Sequence, residues 1–283
     1  MEAIELGKAA ARTVWRNKYL WFFGAFVAAG GGGGGGAPPG GGKGAGASRG
    51  AEAWQGLPEW AWALIIVGSI VALAASLLHV LSEAALIEGV RRDRARPAGE
   101  RPALGIRKGI RLGLSFFWRV LGIKFAFGAV TFATVGVCAA PVTLGIFELV
   151  PLAVGIIGTV LLALPAVPFL LTAYFLYEYT LRFCVLEDLA LRAAWRRAFA
   201  YLHGRIVPSL QLLLVALVGR IAGGVVAGMA LVPVALLALG LYFAGGLPLA
   251  IGAGVLLGLP VALLVTGALG AYNSAVWTLG VLD

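Results

Sequence analysis

Within its long apolar stretches the chain carries a few ionisable side chains that could bind or transfer a proton or an ion. His79 and Glu83 are four residues apart, which is about one turn of an α-helix. Glu178 and Arg182 have the same spacing, and Lys124 stands alone in another stretch. A charge at the centre of a bilayer costs about 2.5–3.5 kcal/mol on insertion scales, so these groups are expected to face other helices and to pair. Lys124 has two carboxylates at similar depth to choose from, Glu83 and Glu178.

Two interpretations of this polar cluster are open. In one, its carboxylates and imidazole form a proton- or ion-coupled site that is entered from the cytoplasm. In the other, the same groups form a satisfied structural network near the interface, where water lowers the cost of their charges. Arg220 lies deeper in an apolar stretch, and it is expected either to form a buried pair with Glu148 or to snorkel outward. The predicted intramembrane polar cluster comprises His79, Glu83, Glu88, Lys124, Glu178, Arg182 and Asn273.

Basic residues are concentrated outside the apolar stretches. Nineteen of the 22 Lys and Arg residues fall into the clusters Lys8–Lys18, Arg91–Lys124 and Arg182–Arg205. From Ile106 to Phe117 and from Leu191 to Leu202, apolar residues recur at helical spacing with basic residues beside them. Such helices rest in the headgroup layer, where each cation is attracted to anionic lipid by about 1 kcal/mol. The alternative is that the charges only enforce topology. The residues predicted to contact anionic lipid are Arg91, Arg92, Arg94, Arg96, Arg107, Lys108, Arg111, Arg192, Arg196 and Arg197.

The stretches that hold these residues have the length of membrane-spanning helices. A hydrophobic content of 60%, a charged content of 12% and a mean hydropathy of +0.95 exclude an ordinary soluble domain. About 20 apolar residues in a helix cross roughly 30 Å of hydrocarbon, and a helix is required because the backbone must satisfy its own hydrogen bonds there. The six predicted spans are 14–29, 58–82, 115–139, 154–178, 206–229 and 252–278.

The sequence therefore predicts an all-α fold, a single transmembrane domain over residues 1–283. The positive-inside rule places both chain ends in the cytoplasm, together with the basic segments 91–113 and 186–205 and their amphipathic helices. The glycine-rich segment 30–56 is then a flexible external loop.

The number of spans in the stretch 206–282 is less constrained, because Arg220 is its only charge. Two spans with a buried re-entrant piece around 231–246, or three spans, would both fit. The glycines and the proline between Gly240 and Pro248 favour two spans.

A spacing of 95 residues separates Glu83 from Glu178 and Glu178 from Asn273, and each lies near the predicted cytoplasmic end of an even-numbered span. Basic amphipathic stretches also precede the third and fifth spans. The chain can therefore be divided into three hairpin units, although coincidence is the alternative.

Searches for catalytic motifs give no site, and the chain is not expected to be an enzyme. His79 and His203 are far apart and have no metal-ligand spacing around them, so neither a metal nor another cofactor is predicted. Cys138 and Cys184 are expected near opposite membrane faces, which excludes a disulfide between them. No nucleophile turn of the G-x-S-x-G type is present.

Short segments along most of the chain carry a family resemblance. They are Trp15–Gly24 with the glycine-rich stretch after it, Ala85–Val90, Val185–Asp188, Ala194–Arg197 and the closing Trp277. In these segments the chain resembles prokaryotic six-span membrane proteins of uncharacterised function, related to the membrane domain found with glycerophosphodiester phosphodiesterases. The resemblance implies six helices in a bacterial cytoplasmic membrane. It supplies no catalytic residues, because catalysis in the fused proteins belongs to a soluble part.

Three functions follow as hypotheses. The leading one is a non-enzymatic multi-pass protein of the cell membrane, whose basic cytoplasmic face engages anionic phospholipid or a protein partner. The second is a secondary transporter or permease that uses the polar cluster. The third is a scaffold subunit of a membrane complex or a homo-oligomer, which the glycine-lined faces would suit. Nucleic acid is not an expected partner.

Overall fold

The computed structural model describes residues 3–30, 59–96 and 105–283, and every regular element within these ranges is an α-helix. The predicted external loop at 30–56 lies almost entirely outside the described residues. The helices are α1 (Ala3–Arg16), α2 (Tyr19–Gly30), α3 (Glu59–Arg94), α4 (Ile106–Ile146), α5 (Leu152–Leu186), α6 (Leu191–His203), α7 (Ile206–Gly245) and α8 (Leu247–Leu282).

Five of these helices, α3, α4, α5, α7 and α8, are long and apolar enough to cross a membrane, and α2 is a shorter apolar helix. The all-α, multi-pass membrane architecture predicted from composition is therefore confirmed at this level. Helices α4 and α5 form one long antiparallel hairpin, and α7 and α8 form another. Helix α2 packs between α8 and α3, while α3 joins this group to the first hairpin through α4.

The side-chain core occupies only one end of these long helices. Its buried residues come from 80–90 of α3, 120–127 of α4, 175–185 of α5 and 271–279 of α8, with residues of α1, α2, α6 and α7 around them. Trp277 is fully buried at its centre and meets the rings of Tyr174, Phe175 and Tyr179 edge-on or tilted. We call this the packed end of the molecule.

Beyond the packed end the helices continue as apolar rods with exposed side chains. In α4 the exposed segment is 128–146, which spans about 29 Å at about 1.5 Å per residue. In α8 it is 247–266, about 30 Å. The large hydrophobic side chains there are exposed, including Phe132 at 82% and Leu256 at 74%. These segments therefore have about the length of the hydrocarbon layer of a bilayer.

The N-terminal region differs from the predicted span at 14–29. The chain turns at Asn17, whose side-chain amide donates to the Thr13 carbonyl at 3.0 Å, and the indole of Trp21 donates to the Val14 carbonyl at 3.0 Å. The Trp21 bond satisfies the Val14 carbonyl, which the end of α1 leaves free, and the Asn17 amide adds a second bond to the Thr13 carbonyl, which already accepts the Asn17 backbone N–H at 3.1 Å. Helix α2 then starts anew and has only 12 residues, about 18 Å. The sequence analysis gave α1 no bounds, although its buried stripe of Leu6, Ala10 and Val14 has helical spacing.

The remaining five predicted spans each lie within one observed helix. The stretch 206–282 forms two long helices, as favoured, but the predicted re-entrant piece is wrong, because residues 231–245 continue α7 to a turn at Gly246. Gly246 has a φ of 82°, a value that glycine adopts without strain. Of the predicted amphipathic helices, α6 is separate, whereas the stretch from Ile106 is the first part of α4.

Glycines allow the closest backbone contacts of the bundle. A Cβ atom on Gly24 of α2 would lie 1.9 Å from the Gly267 carbonyl oxygen of α8, and one on Gly270 would lie 2.1 Å from the Gly24 oxygen. In α7, Gly219 and Gly223 pack closely against side chains of α8. The contact between α2 and α8 therefore depends on the absence of side chains at three positions.

Candidate functional site

Four polar side chains from three helices meet at the packed end, and we call them the Glu83 cluster: His79, Glu83, Lys124 and Tyr177. The Lys124 ammonium lies 2.9 Å from Oε1 of Glu83 and also contacts Nε2 of His79. The Tyr177 hydroxyl donates to the same Glu83 oxygen at 3.3 Å. All of these side chains are buried or nearly so, with Glu83 12% and Lys124 18% exposed. Of Glu83 and Glu178, the two carboxylates that the sequence offers as partners of Lys124, the structure places Glu83 beside it.

The hydrogen bonds of His79 define its tautomer. Its Nδ1 lies 2.9 Å from the Phe26 carbonyl oxygen, which only accepts, so Nδ1 carries a proton. Nε2 then accepts from the Lys124 ammonium when the ring is neutral. The ring thereby ties α2 to α3, while Lys124 ties α3 to α4. Close approach of α3 and α4 is possible because Gly113 lies against the backbone of Leu81, where a Cβ atom would come within 2.5 Å of the carbonyl oxygen.

A second group, a buried pair of opposite charges, lies on α5 directly after Tyr177. Arg182 donates to the side-chain and backbone oxygens of Glu178, and its side chain is 3% exposed. The guanidinium also lies over the ring of Trp277, 5.8 Å from its centre, which is a cation–π contact between α5 and α8. Nε of Arg182 has no partner among the described residues. The ion pair therefore lies within α5, while the planar face of the Arg182 guanidinium packs against α8.

The third group sits at the end of α3. Glu88 is buried and binds the guanidinium groups of Arg91 at 2.7 Å and Arg92 at 2.6 Å. Arg91 also donates to the Leu186 carbonyl at the end of α5, at 3.3 Å. The single predicted polar cluster is therefore divided into three groups. Asn273 joins none of them through its amide oxygen, which is buried without a partner among the described residues.

Further ion pairs join the ends of helices, and the sequence analysis did not anticipate them. Arg16 binds Asp93 at 2.6 Å and so attaches α1 to α3. Arg94 binds Asp283 at the end of α8, and Arg119 of α4 binds Asp188 after α5. Arg197 lies 3.7 Å from Glu187. Together with the Glu88 group, these ion pairs include four of the cations predicted to contact lipid, namely Arg91, Arg92, Arg94 and Arg197.

The predicted buried pair of Arg220 and Glu148 is not formed. Both residues are exposed, and no ion pair joins them within the described part of the chain. Glu148 lies in the turn between α4 and α5, whereas Arg220 is on α7 in the other hairpin. Glu148 follows the far end of the exposed α4 segment, whereas Arg220 lies four residues past the buried Ala216, near the packed end, so this difference in depth corrects the prediction.

Five further cations predicted to contact lipid are exposed on α4 and α6, and we call them the basic face: Arg107, Lys108, Arg111, Arg192 and Arg196. All five are exposed, and none has an ion pair with a described residue. On α6 the packing side consists of Ala194, Ala198 and Leu202. Of the apolar stripe predicted on the same helix, Leu202 packs inward, Trp195 stacks on Phe127 of α4 but stays 38% exposed, and Phe199 is 55% exposed. Exposed apolar and basic side chains therefore lie side by side on α6.

Two cavities at the packed end are lined by residues outside the Glu83 cluster, the Glu178–Arg182 pair and the Glu88 group. One is a shallow groove along α1 at Trp15, and the other, of about 240 Å³, lies between α1, α5, α6, α7 and α8 at Arg205. Neither is lined by Glu83 or Glu178. Among the described residues, no three His, Cys, Asp or Glu side chains are placed to hold a metal ion. The Glu83 cluster could exchange protons, but its contacts are equally those of a structural brace.

Comparison of the chain with protein-family models, curated proteins and solved structures finds no match. The resemblance to proteins related to the glycerophosphodiester phosphodiesterase membrane domain therefore stays a prediction.

Proposed function

We propose that this protein is a non-enzymatic multi-pass membrane protein that binds anionic phospholipid through its basic face. The observation that carries the proposal is the state of the cations at the packed end. Interior cations have acidic partners, whereas the five of the basic face are exposed and have none in the described ranges. Cations left without acidic partners are attracted to an anionic leaflet.

The side chains next to these cations support the same function. Trp195 and Phe199 are exposed between the arginines of α6, and Leu114 is 58% exposed on α4 after Arg111. Burying such side chains at the boundary of headgroups and acyl chains is favourable, while the adjacent cations stay at the phosphate level. A surface with both features suits the cytoplasmic leaflet of a bacterial membrane better than it suits bulk water.

The membrane placement that accompanies this function has six spans with both chain ends in the cytoplasm. The exposed apolar segments have about the length of a hydrocarbon layer, which supports placing them in the bilayer with the packed end at its cytoplasmic side. Helix α2 would enter the bilayer as the first span. The contact of Arg91 with the Leu186 carbonyl joins positions 95 residues apart, as three repeated hairpins would.

The test compares two double variants of equal charge. Arg192→Gln with Arg196→Gln removes two cations of the basic face, and Lys43→Gln with Arg49→Gln removes the two that the charge rule assigns to the other side. Each protein is reconstituted in vesicles with spin-labelled phosphatidylglycerol or phosphatidylcholine, and the fraction of motionally restricted lipid is measured. The first variant is expected to lower the preference for phosphatidylglycerol by roughly fivefold or more, because attraction accumulates with each cation near the surface.

The second double variant should retain the preference of the unmodified protein. Equal loss in both variants would mean that the effect reflects net charge and not the basic face. An unchanged preference in the first variant would refute the proposal.

A second candidate, proton-coupled transport, is favoured by one observation. Oε2 of Glu83 is buried without a partner among the described residues, so the cluster holds an open acceptor. If the cluster carries protons, Glu83→Gln should abolish proton flux in proteoliposomes while Glu59→Gln, near the other end of α3, leaves it intact. Equal proton flux in both variants would remove this candidate.

A further inference from the structure

The cavity at Arg205 has the composition of a binding site for a small anionic group. It encloses about 240 Å³ and is lined by side chains of several helices, including Leu6 of α1, Tyr201 of α6 and Leu212 of α7. Arg205, Gln211 and Asp283 supply its polar groups. The cavity thus combines apolar walls with a cation and an amide.

The hydrogen-bonding capacity of these polar groups is largely unused. Arg205 has five N–H donors, and the side-chain bond it makes is to the Tyr201 hydroxyl at 3.0 Å, with no ion pair among the described residues. The amide of Gln211 makes no hydrogen bond in the described ranges. A guanidinium presents its donors as a planar fork that matches the oxygens of a phosphate. The free groups therefore point to a phosphate as the chemistry of the ligand.

The position of Arg205 is held before any ligand binds. Its guanidinium lies over the ring of Tyr201, 4.8 Å from the ring centre. The Tyr201 hydroxyl donates in turn to the Gly280 carbonyl at 3.3 Å, which fixes the tyrosine against α8. Tyr179 and Ser209 are bonded to each other at 2.7 Å at the inner wall. A side chain anchored in this way loses little freedom when it binds an anion.

The net charge of the cavity indicates which kind of phosphate it would bind. Asp283 also lines it, and this carboxylate is neutralised by Arg94. One uncompensated cation beside a neutralised acid favours a singly charged phosphodiester over a doubly charged phosphate monoester. The apolar walls at Leu6 and Leu212 suit glycerol and the first methylenes of a lipid, whereas the volume excludes whole acyl chains. The chains would have to remain in the bilayer.

We infer that this cavity binds the phosphodiester headgroup of one phospholipid molecule, with Arg205 and Gln211 as its donors to the phosphate. The inference rests on the proposed function, since it requires this end of the protein to lie at a phospholipid surface. The cavity differs from the basic face in the number of lipid molecules that it would hold. The basic face attracts a population of lipids, whereas the cavity holds a single one.

Native mass spectrometry of the detergent-purified protein tests the inference with dioleoyl phosphatidylglycerol as the probe. The unmodified protein is expected to retain one equivalent through a dissociation step that removes further lipids. Arg205→Gln and Gln211→Leu should each weaken that equivalent at least tenfold, and Arg205→Lys should weaken it less, because the charge remains without the fork. Lys18→Gln, at an exposed cation outside both the cavity and the basic face, should leave it unchanged.

Three results would overturn the inference. They are retention of the single lipid by Arg205→Gln, absence of a retained lipid in the unmodified protein, and displacement of the lipid by glycerophosphoglycerol at equal concentration. The last would assign the cavity to a water-soluble phosphodiester. The proposed function fails separately, when Arg192→Gln with Arg196→Gln keeps the spin-label preference.

Discussion

Replacing Lys124 with methionine tests whether the Glu83 cluster braces the packed end. The Lys124 ammonium is 2.9 Å from the Glu83 carboxylate, and the two side chains are 18% and 12% exposed. Methionine keeps most of the length of the lysine stem and removes only the charge and the donors. The variant would therefore leave a nearly buried carboxylate with the Tyr177 hydroxyl and an imidazole as its remaining partners.

The size of the effect follows from the geometry. Two unit charges 2.9 Å apart attract each other by about 6 kcal/mol at an effective dielectric constant of about 20. Part of this attraction only repays the desolvation of the two ions, and removing one partner of a buried pair typically costs about 3–5 kcal/mol. We expect a loss of about 3 kcal/mol, near the lower limit, because the Tyr177 hydroxyl still donates to the Glu83 carboxylate in the variant.

The assay is unfolding of the purified protein in detergent, followed by tryptophan fluorescence during heating or titration with a denaturing detergent. A loss of about 3 kcal/mol corresponds to a decrease in Tm of roughly 6–12 °C for a chain of this size. Lys108→Met is the matched control on the same helix, since Lys108 is exposed and has no ion pair among the described residues. Its change should stay within about 0.5 kcal/mol. Adding Glu83→Gln to Lys124→Met should recover at least half of the lost stability. Equal effects of Lys124→Met and Lys108→Met would refute the brace.

Three other substitutions probe the contacts between helices. Gly24→Ala should destabilise the protein by about 3 kcal/mol, because the new methyl meets a backbone carbonyl of α8, whereas Gly128→Ala, at an open position, should be neutral or slightly stabilising in the same thermal assay. Arg182→Met should lower Tm as Lys124→Met does, since it leaves its buried glutamate unpaired; an unchanged Tm would contradict the burial of that pair. Asp93→Asn should cost about 1 kcal/mol and increase protease cleavage of α1, which loses its ion pair with Arg16; unchanged cleavage would argue against that attachment.

Hydrophobic length and periodicity were sufficient to predict most of the fold. The five long helices each contain one predicted span, because an uninterrupted apolar stretch of 20 or more residues admits only a helix in a bilayer. The predicted span at 14–29 was wrong, because a hydropathy pattern does not show which residues end a helix. Asn17 and Trp21 end α1 with side-chain hydrogen bonds to backbone carbonyls, and such bonds depend on geometry, not on apolar content.

The candidate site could be predicted only as a set of residues. Spacing along one helix placed Glu178 and Arg182 one turn apart on the same face, and the structure shows them paired. Partners on different helices depend on which helices are neighbours, which the sequence does not contain. Lys124 pairs with Glu83 because α4 packs against α3, whereas Arg220 misses Glu148 because Glu148 lies at the far end of the α4–α5 hairpin and Arg220 is near the packed end of α7.

The position of the Glu83 cluster favours a brace over a transport pathway. Glu83 follows the last exposed apolar residue of α3, Leu77, by six positions, or about 9 Å along the helix. On the proposed membrane placement, the cluster then lies at the cytoplasmic boundary of the hydrocarbon, where water keeps the cost of its charges low. A proton relay would need further titratable groups across the bilayer, yet the exposed segments of α4, α5 and α8 contain no Asp, Glu, Lys, Arg or His. The cluster joins α2, α3, α4 and α5 at the level where the exposed rods begin, and a fixed junction there holds the basic face against the lipid surface.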